Sequence, residues 1–432
     1  MARSSLFPAS VQPGKPILPH CPPGWTTVTF GDVLEIVERP IDLIDDVEYQ
    51  LVTAKRSRGG VVARSRLLGR DVLTKTQFQI VRDDFLMSNR QIIHGGCGIV
   101  PPALEGAVVS NEYSVLRPKS RLLLEFLGYL SHSIYFQQTC FHASVGVDVE
   151  KMIFDCERWL DFKIHLPPLH EQRRIAEILS SVDEVIAATR AVIEQTRKVK
   201  QGVLERLLTK GIGHTRFKQT EIGEIPEEWE LTSADDVCTQ VSVGIVIKPS
   251  QYYVENGVRC FRSANVREGF VEDADWVCIS EEGNRVNRKS VLRTGDVLVV
   301  RTGYPGTSCV VPPKYDGANC IDIIFARPKI NLVDPYFLST FINSASGKTQ
   351  VLKAEGGLAQ KHFNVGAMKQ MKLPLPPLNE QHEIVAHIQE FANTEAVLEQ
   401  TLQQQIGFKS ALMSDLLTGR RRVTDALPMA AE

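Results

Sequence analysis

LPPLHEQRRI at 166–175 and LPPLNEQHEI at 375–384 are the two stretches on which the fold is read. They lie 209 residues apart, and the same offset brings Leu207-Leu208-Thr209 onto Leu416-Leu417-Thr418 without a gap. Between these anchors Ala187, Gln195 and Lys200 recur as Ala396, Gln404 and Lys409. A register held this long marks a rigid helix, which an insertion would throw out of phase. Upstream the repeat continues more loosely. VPPALEGA (100–107) recurs as VPPKYDGA (311–318), LRPK (116–119) as ARPK (326–329), and PPGW (22–25) with GDV (31–33) as PEEW (226–229) with DDV (235–237). The offset drifts through this part, so length differences sit inside each copy. The chain therefore reads as two copies of one unit, a mixed domain of about 140 residues and then a long helix.

In the first helix, apolar or small residues fall at Ile175, Leu179, Val182, Ile186, Thr189, Ile193, Thr196, Val203 and Leu207. The second places Ile384, Ile388, Phe391, Leu398, Leu402, Leu412 and Leu416 at matching positions. Steps of three and four make an a/d seam. A double proline stiffens each approach, and Gly211 and Gly419 close each helix just after its last leucines. Each helix spans about 58 Å at ~1.5 Å per residue. A homotypic coiled-coil dimer and an internal antiparallel pair both satisfy this pattern. The internal pair is preferred because it spends no association entropy on a second chain. Polar seam positions (Thr189, Thr196, Lys200, Gln405, Lys409) would then set the register. Inside the domains, VLVV (297–300) and DIIFA (322–326) read as strands. YFLSTFI (336–342) and LLLEFLGYL (122–130) read as short helices.

The 432 residues are 43% hydrophobic and 23% charged, with a net charge of −2. That is globular usage with room for two or three cores. No apolar run approaches the ~20 residues that span a bilayer, and the start lacks an apolar signal region, so the expected location is the cytoplasm. Nine cysteines without a C-x-x-C predict reduced thiols and no metal site. SGKT (346–349) lacks the glycine a phosphate-binding loop needs at 342, which is Ile, and reads instead as a helix C-terminus with a glycine stop. No nucleotide fingerprint, nucleophile elbow or methyltransferase N/D-P-P-Y/F tetrapeptide is present, so the expected protein binds rather than catalyses.

One segment is strongly cationic. Residues 51–82 hold Lys55, Arg56, Arg58, Arg64, Arg66, Arg70, Lys75 and Arg82 against the single acid Asp71. Arginine can bond guanine edges and both basic types neutralise phosphates. Lys55, Arg56, Arg58, Arg64, Arg66 and Arg70 are therefore the candidates for nucleic-acid contact in the first domain. In the second domain charge is balanced, and the candidates are Arg262 and Asn265 in RCFRSANVR, Arg301 and Tyr304 in VRTGYPG, and Lys361 and His362 in GGLAQKHF.

The LPPL-x-EQ helices, their closing LLT, the G-W…GDV domain start and the twofold repeat together resemble the specificity subunit of type I restriction–modification enzymes, over nearly the whole chain. The resemblance implies an α+β architecture of two mixed α/β target-recognition domains separated by a long antiparallel two-helix coiled coil. It divides the sequence into an N-terminal segment (1–24), domain 1 (25–165), spacer helix 1 (166–211), a linker (212–224), domain 2 (225–374), spacer helix 2 (375–420) and a tail (421–432). It implies that each domain reads one half of a split double-stranded DNA site. Two methyltransferase subunits would dock on the helices, with Glu171, Gln172, Glu380 and Gln381 as candidate docking residues, and motor–nuclease subunits would join them. This chain would bind no cofactor; S-adenosylmethionine, ATP and Mg would belong to the partner subunits. The alternatives are a non-catalytic coiled-coil scaffold, a stand-alone DNA-binding protein or a free-standing enzyme. If the helices act as a ruler, adding one heptad to both lengthens the unread gap of the target, because half-sites must stay on compatible faces of the duplex. Mapping methylated sites of that variant checks the expectation, and an unchanged gap refutes it.

Overall fold

The computed structural model describes residues 11, 16–355 and 363–423. The chain divides into two compact units, residues 1–190 with 401–432, and residues 191–400. Both are built on one plan.

In the first unit, Thr26–Thr29 pairs antiparallel with Lys163–Leu166, so the start of the domain lies against its end. A four-stranded antiparallel sheet follows in the order Leu34–Ile36, Tyr113–Pro118, Phe85–Ser88, Cys97–Ile99. The second unit repeats both features. Glu230–Ser233 pairs with Lys372–Leu375, and Cys238–Val243, Ile323–Pro328, Val297–Val300 and Ser308–Val310 form a sheet of the same order. The opening GDV and DDV motifs serve one purpose in both. Thr29 with Asp32, and Ser233 with Asp236, form reciprocal capping boxes on a single helical turn. PPGW and PEEW also make the same turn, Trp25 N–H to Pro22 O and Trp229 N–H to Pro226 O, each 3.1 Å. Only the first uses a left-handed glycine, Gly24 with φ 79°.

The recurring R-P-K has a buried reason. Arg117 and Arg39 both bond Asp84, which is fully buried, and Arg327 makes a bidentate pair with the buried Asp296. The units diverge in their second sheets. The first unit has five strands ending in the hairpin β1 (Glu48–Ala54) and β2 (Val61–Leu68), with β2 at the edge. The second unit has four short strands there, including a parallel pair between Val258–Phe261 and Asn319–Cys320. This is where the repeat offset drifts.

The helices read from the sequence are present as α1 (Leu169–Lys210) and α2 (Leu378–Leu417). Gly211 (φ 62°) and Gly419 (φ 67°) terminate them in the left-handed conformation that glycine adopts without strain. Within the first unit Ile175 and Leu179 pack in one core with Leu412, Leu416 and Leu417, and Lys409 pairs with Asp183 at 2.5 Å. Within the second, Arg197 bonds Glu395 and Glu399, and Lys200 bonds Glu395. In each unit rising numbers on α1 meet falling numbers on α2, so the pairing is antiparallel. The polar seam positions Lys200 and Lys409 are thus partnered, as register-setting residues should be. SGKT differs from its reading: Pro335–Asn343 ends before it, and it opens the next helix, Ala345–Glu355, with Ser344 Oγ accepting from Gly347 N–H. All nine cysteines are free thiols.

The residues after each double proline tie domain to helix. Glu171, 2% exposed, accepts the Trp25 indole N–H at 3.0 Å and two bonds from Arg422. Glu380, 8% exposed, accepts the Trp229 indole N–H, the Ile212 amide and a His214 ring nitrogen, each at 2.9 Å. Gln172 and Gln381 are fully buried. Each takes a domain amide (Leu123 or Asp334) at 2.8 Å and donates to a domain carbonyl and to the first proline of its own motif. The expectation that Glu171, Gln172, Glu380 and Gln381 dock a partner is therefore corrected: burial and internal bonding leave them no outward surface. Glu380→Ala leaves an indole N–H and an amide unpaired in a buried site, so it is expected to cost about 2–6 kcal/mol at ~1–3 per orphaned donor. A shift of the urea midpoint measures it; exposed Glu383→Ala, on the same helix turn, is expected within ~0.5 kcal/mol of wild type.

Candidate nucleic-acid interface

The six basic candidates of the first domain fall on or beside one hairpin, β1–β2, and the structure sorts them by what they already touch. Lys55 in the turn and Arg64 on β2 are exposed, and neither makes a side-chain hydrogen bond or ion pair among the described residues. Arg66, which a register irregularity of the hairpin separates from Arg64, bonds Gln50 at 3.0 Å and lies 3.9 Å from Glu48. Arg70 pairs with Asp46 at 2.8 Å, and Arg56 bonds Gln91 and Glu150. These are exposed pairs of small net worth, easily exchanged for a phosphate. Arg58 departs from the set. Its backbone is left-handed (φ 62°), and its half-buried side chain lines a cleft beside α1. Five of the six therefore present a cationic surface, and one turns inward.

The hairpin is held firmly. Ser57 and Arg58 amides bond the carbonyls of His94 and Gly95, and Lys55 N–H bonds Gly60 O across the turn. Gly95 is required for this approach, since a Cβ there would stand 3.0 Å from Arg58 N in an already left-handed residue. A charged edge strand also resists pairing with other strands, which is an ordinary structural use of Arg64 and Arg66.

The second domain corrects several candidates. Asn265 is fully buried and its side chain is saturated: Oδ1 accepts from Arg262 N–H, and Nδ2 donates to the carbonyls of Glu272 and Ala274. It shapes a loop and cannot read adenine. Arg262 is half-buried and bonds the Asp275 carbonyl. Arg301 is 20% exposed and pairs with Asp322 at 3.0 Å. Tyr304 stands free at 84% exposure, between Gly303 and Gly306, both with positive φ. Lys361 and His362 lie outside the described residues. Sequence reasoning passed over Phe270, which is 57% exposed on the neighbouring hairpin, where Gly269 N–H bonds Ser308 O. It also passed over Arg259, which lies over the Trp276 and Tyr315 rings at 5.4 and 5.8 Å. No signal marked either, because REGF reads as a plain turn and Trp276 and Tyr315 are distant in sequence.

Among the described residues no cluster of His, Cys, Asp or Glu could hold a metal ion, and no helix is long and apolar enough to cross a membrane.

The family model for the type I restriction modification DNA specificity domain matches the chain twice, over residues 22–196 and 226–407. The type I restriction enzyme MjaVIII specificity subunit of Methanocaldococcus jannaschii is 27% identical over 425 residues, covering 93% of this chain and 94% of its own. The EcoKI specificity subunit of Escherichia coli K12 is 24% identical, covering 70% of this chain and 65% of its own. Among solved structures, a chain from a study of type I restriction–modification complex assembly superposes with a TM-score of 0.65 at 20% identity. It covers 93% of this chain and 99% of its own. The HsdS subunit of Thermoanaerobacter tengcongensis gives 0.51 at 21% identity, covering 93% and 98%. Two matched copies, each a domain locked through a buried Glu-Gln pair to its helix, place this chain in the type I restriction–modification DNA specificity family, as a specificity subunit.

Proposed function

We propose that the two units each read one half of a split double-stranded DNA target and that the chain itself performs no chemistry. The observation that carries this is the division of labour inside each unit. The Trp–Glu tie and the four-stranded sheet are common to both, whereas the second sheet, which bears the exposed basic candidates of the first unit, differs between them, and the exposed Tyr304 of the second unit stands instead on a loop of the common sheet. A shared frame with unlike faces is what reading two different half-sites requires. In the first unit Lys55, Arg64 and Arg66 supply phosphate neutralisation and guanine-edge donors, with Arg56 and Arg70 recruited from their surface pairs. In the second, Tyr304 supplies a contact surface beside Arg301.

Two methyltransferase subunits dock on the outward faces of α1 and α2, away from the buried Glu171, Gln172, Glu380 and Gln381, and motor–nuclease subunits join that core. S-adenosylmethionine, ATP and Mg act on those partners, and the assembly works in the cytoplasm. The decisive test is base-modification sequencing of a methylation-free host carrying this chain with its methyltransferase subunit, against a host with the methyltransferase alone. Modified adenines at one split motif only when this chain is present support the reading; the same modification in both hosts overturns it.

The cationic hairpin makes a second expectation. Each lost phosphate contact lowers the salt slope of log K by about 0.9. The Lys55→Ala/Arg64→Ala variant should therefore flatten the slope by about 2 and weaken binding uniformly across sequences. A single residue that reads a base instead costs ~1–3 kcal/mol at one position of the motif. Fluorescence anisotropy on the mapped duplex across a salt series separates the two.

A further inference from the structure

The inward turn of Arg58 opens onto a cleft of about 890 Å³ within the first unit, between the hairpin turn, the helix Leu124–Leu130 and the paired helices α1 and α2. One corner is lined by Arg58, Cys97, Ser131 and His132; the other charged lining groups are Glu125 of the short helix, Arg173, Glu177, Asp183 and Glu184 of α1, and Lys409 of α2. Asp183 accepts from the Tyr129 hydroxyl at 3.0 Å and from Lys409, and Glu177 pairs with Arg174. The Arg58 corner is different. Neither the Arg58 guanidinium nor the His132 ring makes a hydrogen bond or ion pair among the described residues. A half-buried cation without a counter-charge is costly to keep, because desolvation is not repaid by pairing.

The second repeat shows what a filled site looks like at this place. Asn343 ends the helix Pro335–Asn343 at the place where His132 stands just past Leu124–Leu130. Its amide is consumed by the Ser308 backbone, donating to the carbonyl and accepting from the N–H, both at 2.9 Å. His132 has no such partner. Its ring is pushed down to about 4 by burial, then by the Arg58 and Lys409 charges, with Asp183 acting the other way. Around His132 the Arg58 and Lys409 charges thus outweigh Asp183, with Glu125, Glu177 and Glu184 elsewhere in the lining, and the neutral imidazole there is ready to take a proton if an anion arrives.

We propose that this cleft binds a small ligand, up to nucleotide size, through an anionic group (phosphate or carboxylate) seated between the Arg58 guanidinium and the His132 ring. The volume falls in the range of ordinary small-ligand pockets, ~300–1,000 Å³, and is too small for a duplex. Because the cleft is lined by the turn of the cationic hairpin on one side and by α1 and α2 on the other, an occupant that fills it touches both at once. The inference does not depend on the DNA-reading proposal.

The test uses the full chain with ring-labelled histidine, His132 being assigned through His132→Asn, the residue of the second repeat. Inorganic phosphate and acetate are titrated separately, and the His132 ring is followed by NMR against pH. Bound anion offsets the Arg58 charge, so the His132 titration midpoint is expected to rise by about one unit or more, and affinity should increase as pH falls. Arg58→Gln should weaken anion binding at least tenfold. A response to phosphate alone assigns phosphorylated ligands; a response to acetate as well extends the site to carboxylates. If neither anion moves the His132 midpoint, or if only a short duplex does, the proposal is overturned.

Discussion

A carboxylate buried at the start of each long helix, bonded to the indole of a tryptophan some 150 residues away, is the constraint on which the architecture rests. An ionised carboxylate inside a protein is tolerable only when its lone pairs are filled. Glu171 is satisfied by Trp25 and Arg422, and Glu380 by Trp229, His214 and the Ile212 amide. Those partners come from the first turn of the domain and from the residues just past the end of the other helix in the antiparallel pair. One side chain thereby fixes three segments at once. The adjacent glutamine fixes a fourth, the segment leading into the short helix at Leu124 or Pro335. A domain tied at so few, fully buried points transmits its orientation to the helix without needing an extensive apolar interface.

Much of this was legible in the sequence because it is periodic or repeated. The helices announce themselves by the a/d seam, the prolines and the closing glycines, all of which report local backbone physics. The strands Val297–Val300 and Ile323–Pro328 were readable as apolar runs after turns. The role of Glu171 and Gln172 was not readable. A polar pair at the first turn of a helix looks the same whether it faces water, a partner or a tryptophan, and only tertiary burial decides. Asn265 failed for the same reason: an amide in an R-S-A-N loop suits a base edge as well as a loop's own carbonyls. SGKT was read at the wrong end of a helix because Ser344 allows one helix to stop and the next to begin within a single turn. The cationic hairpin was legible as composition, yet the inward turn of Arg58 depends on a left-handed backbone that charge counting cannot see.

The two copies also show how duplicated parts diverge under unequal constraint. Residues that satisfy buried groups have stayed: the arginine of R-P-K on its aspartate, the capping boxes, the indole on its glutamate. The side chain that joins the indole on that glutamate differs, an arginine at 422 and a histidine at 214, each three residues past the glycine that ends its helix. Either supplies donors to the same oxygens. Second-sheet strands, whose exposed faces owe nothing to the frame, differ in number and pairing.

The first unit is assembled from two separated tracts, residues 1–190 and 401–432, while the second is one continuous tract, 191–400. On the ribosome the continuous tract has all its partners in hand first. The other must wait for Leu412, Leu416 and Arg422, so its core stays open while more than two hundred residues are added. Loop closure grows only slowly with length, so the delay carries a small equilibrium penalty. The kinetic exposure is larger: Ile175, Leu179 and the Glu171 carboxylate remain uncovered in the nascent chain, making this face the point at which chaperone capture or misassembly would begin.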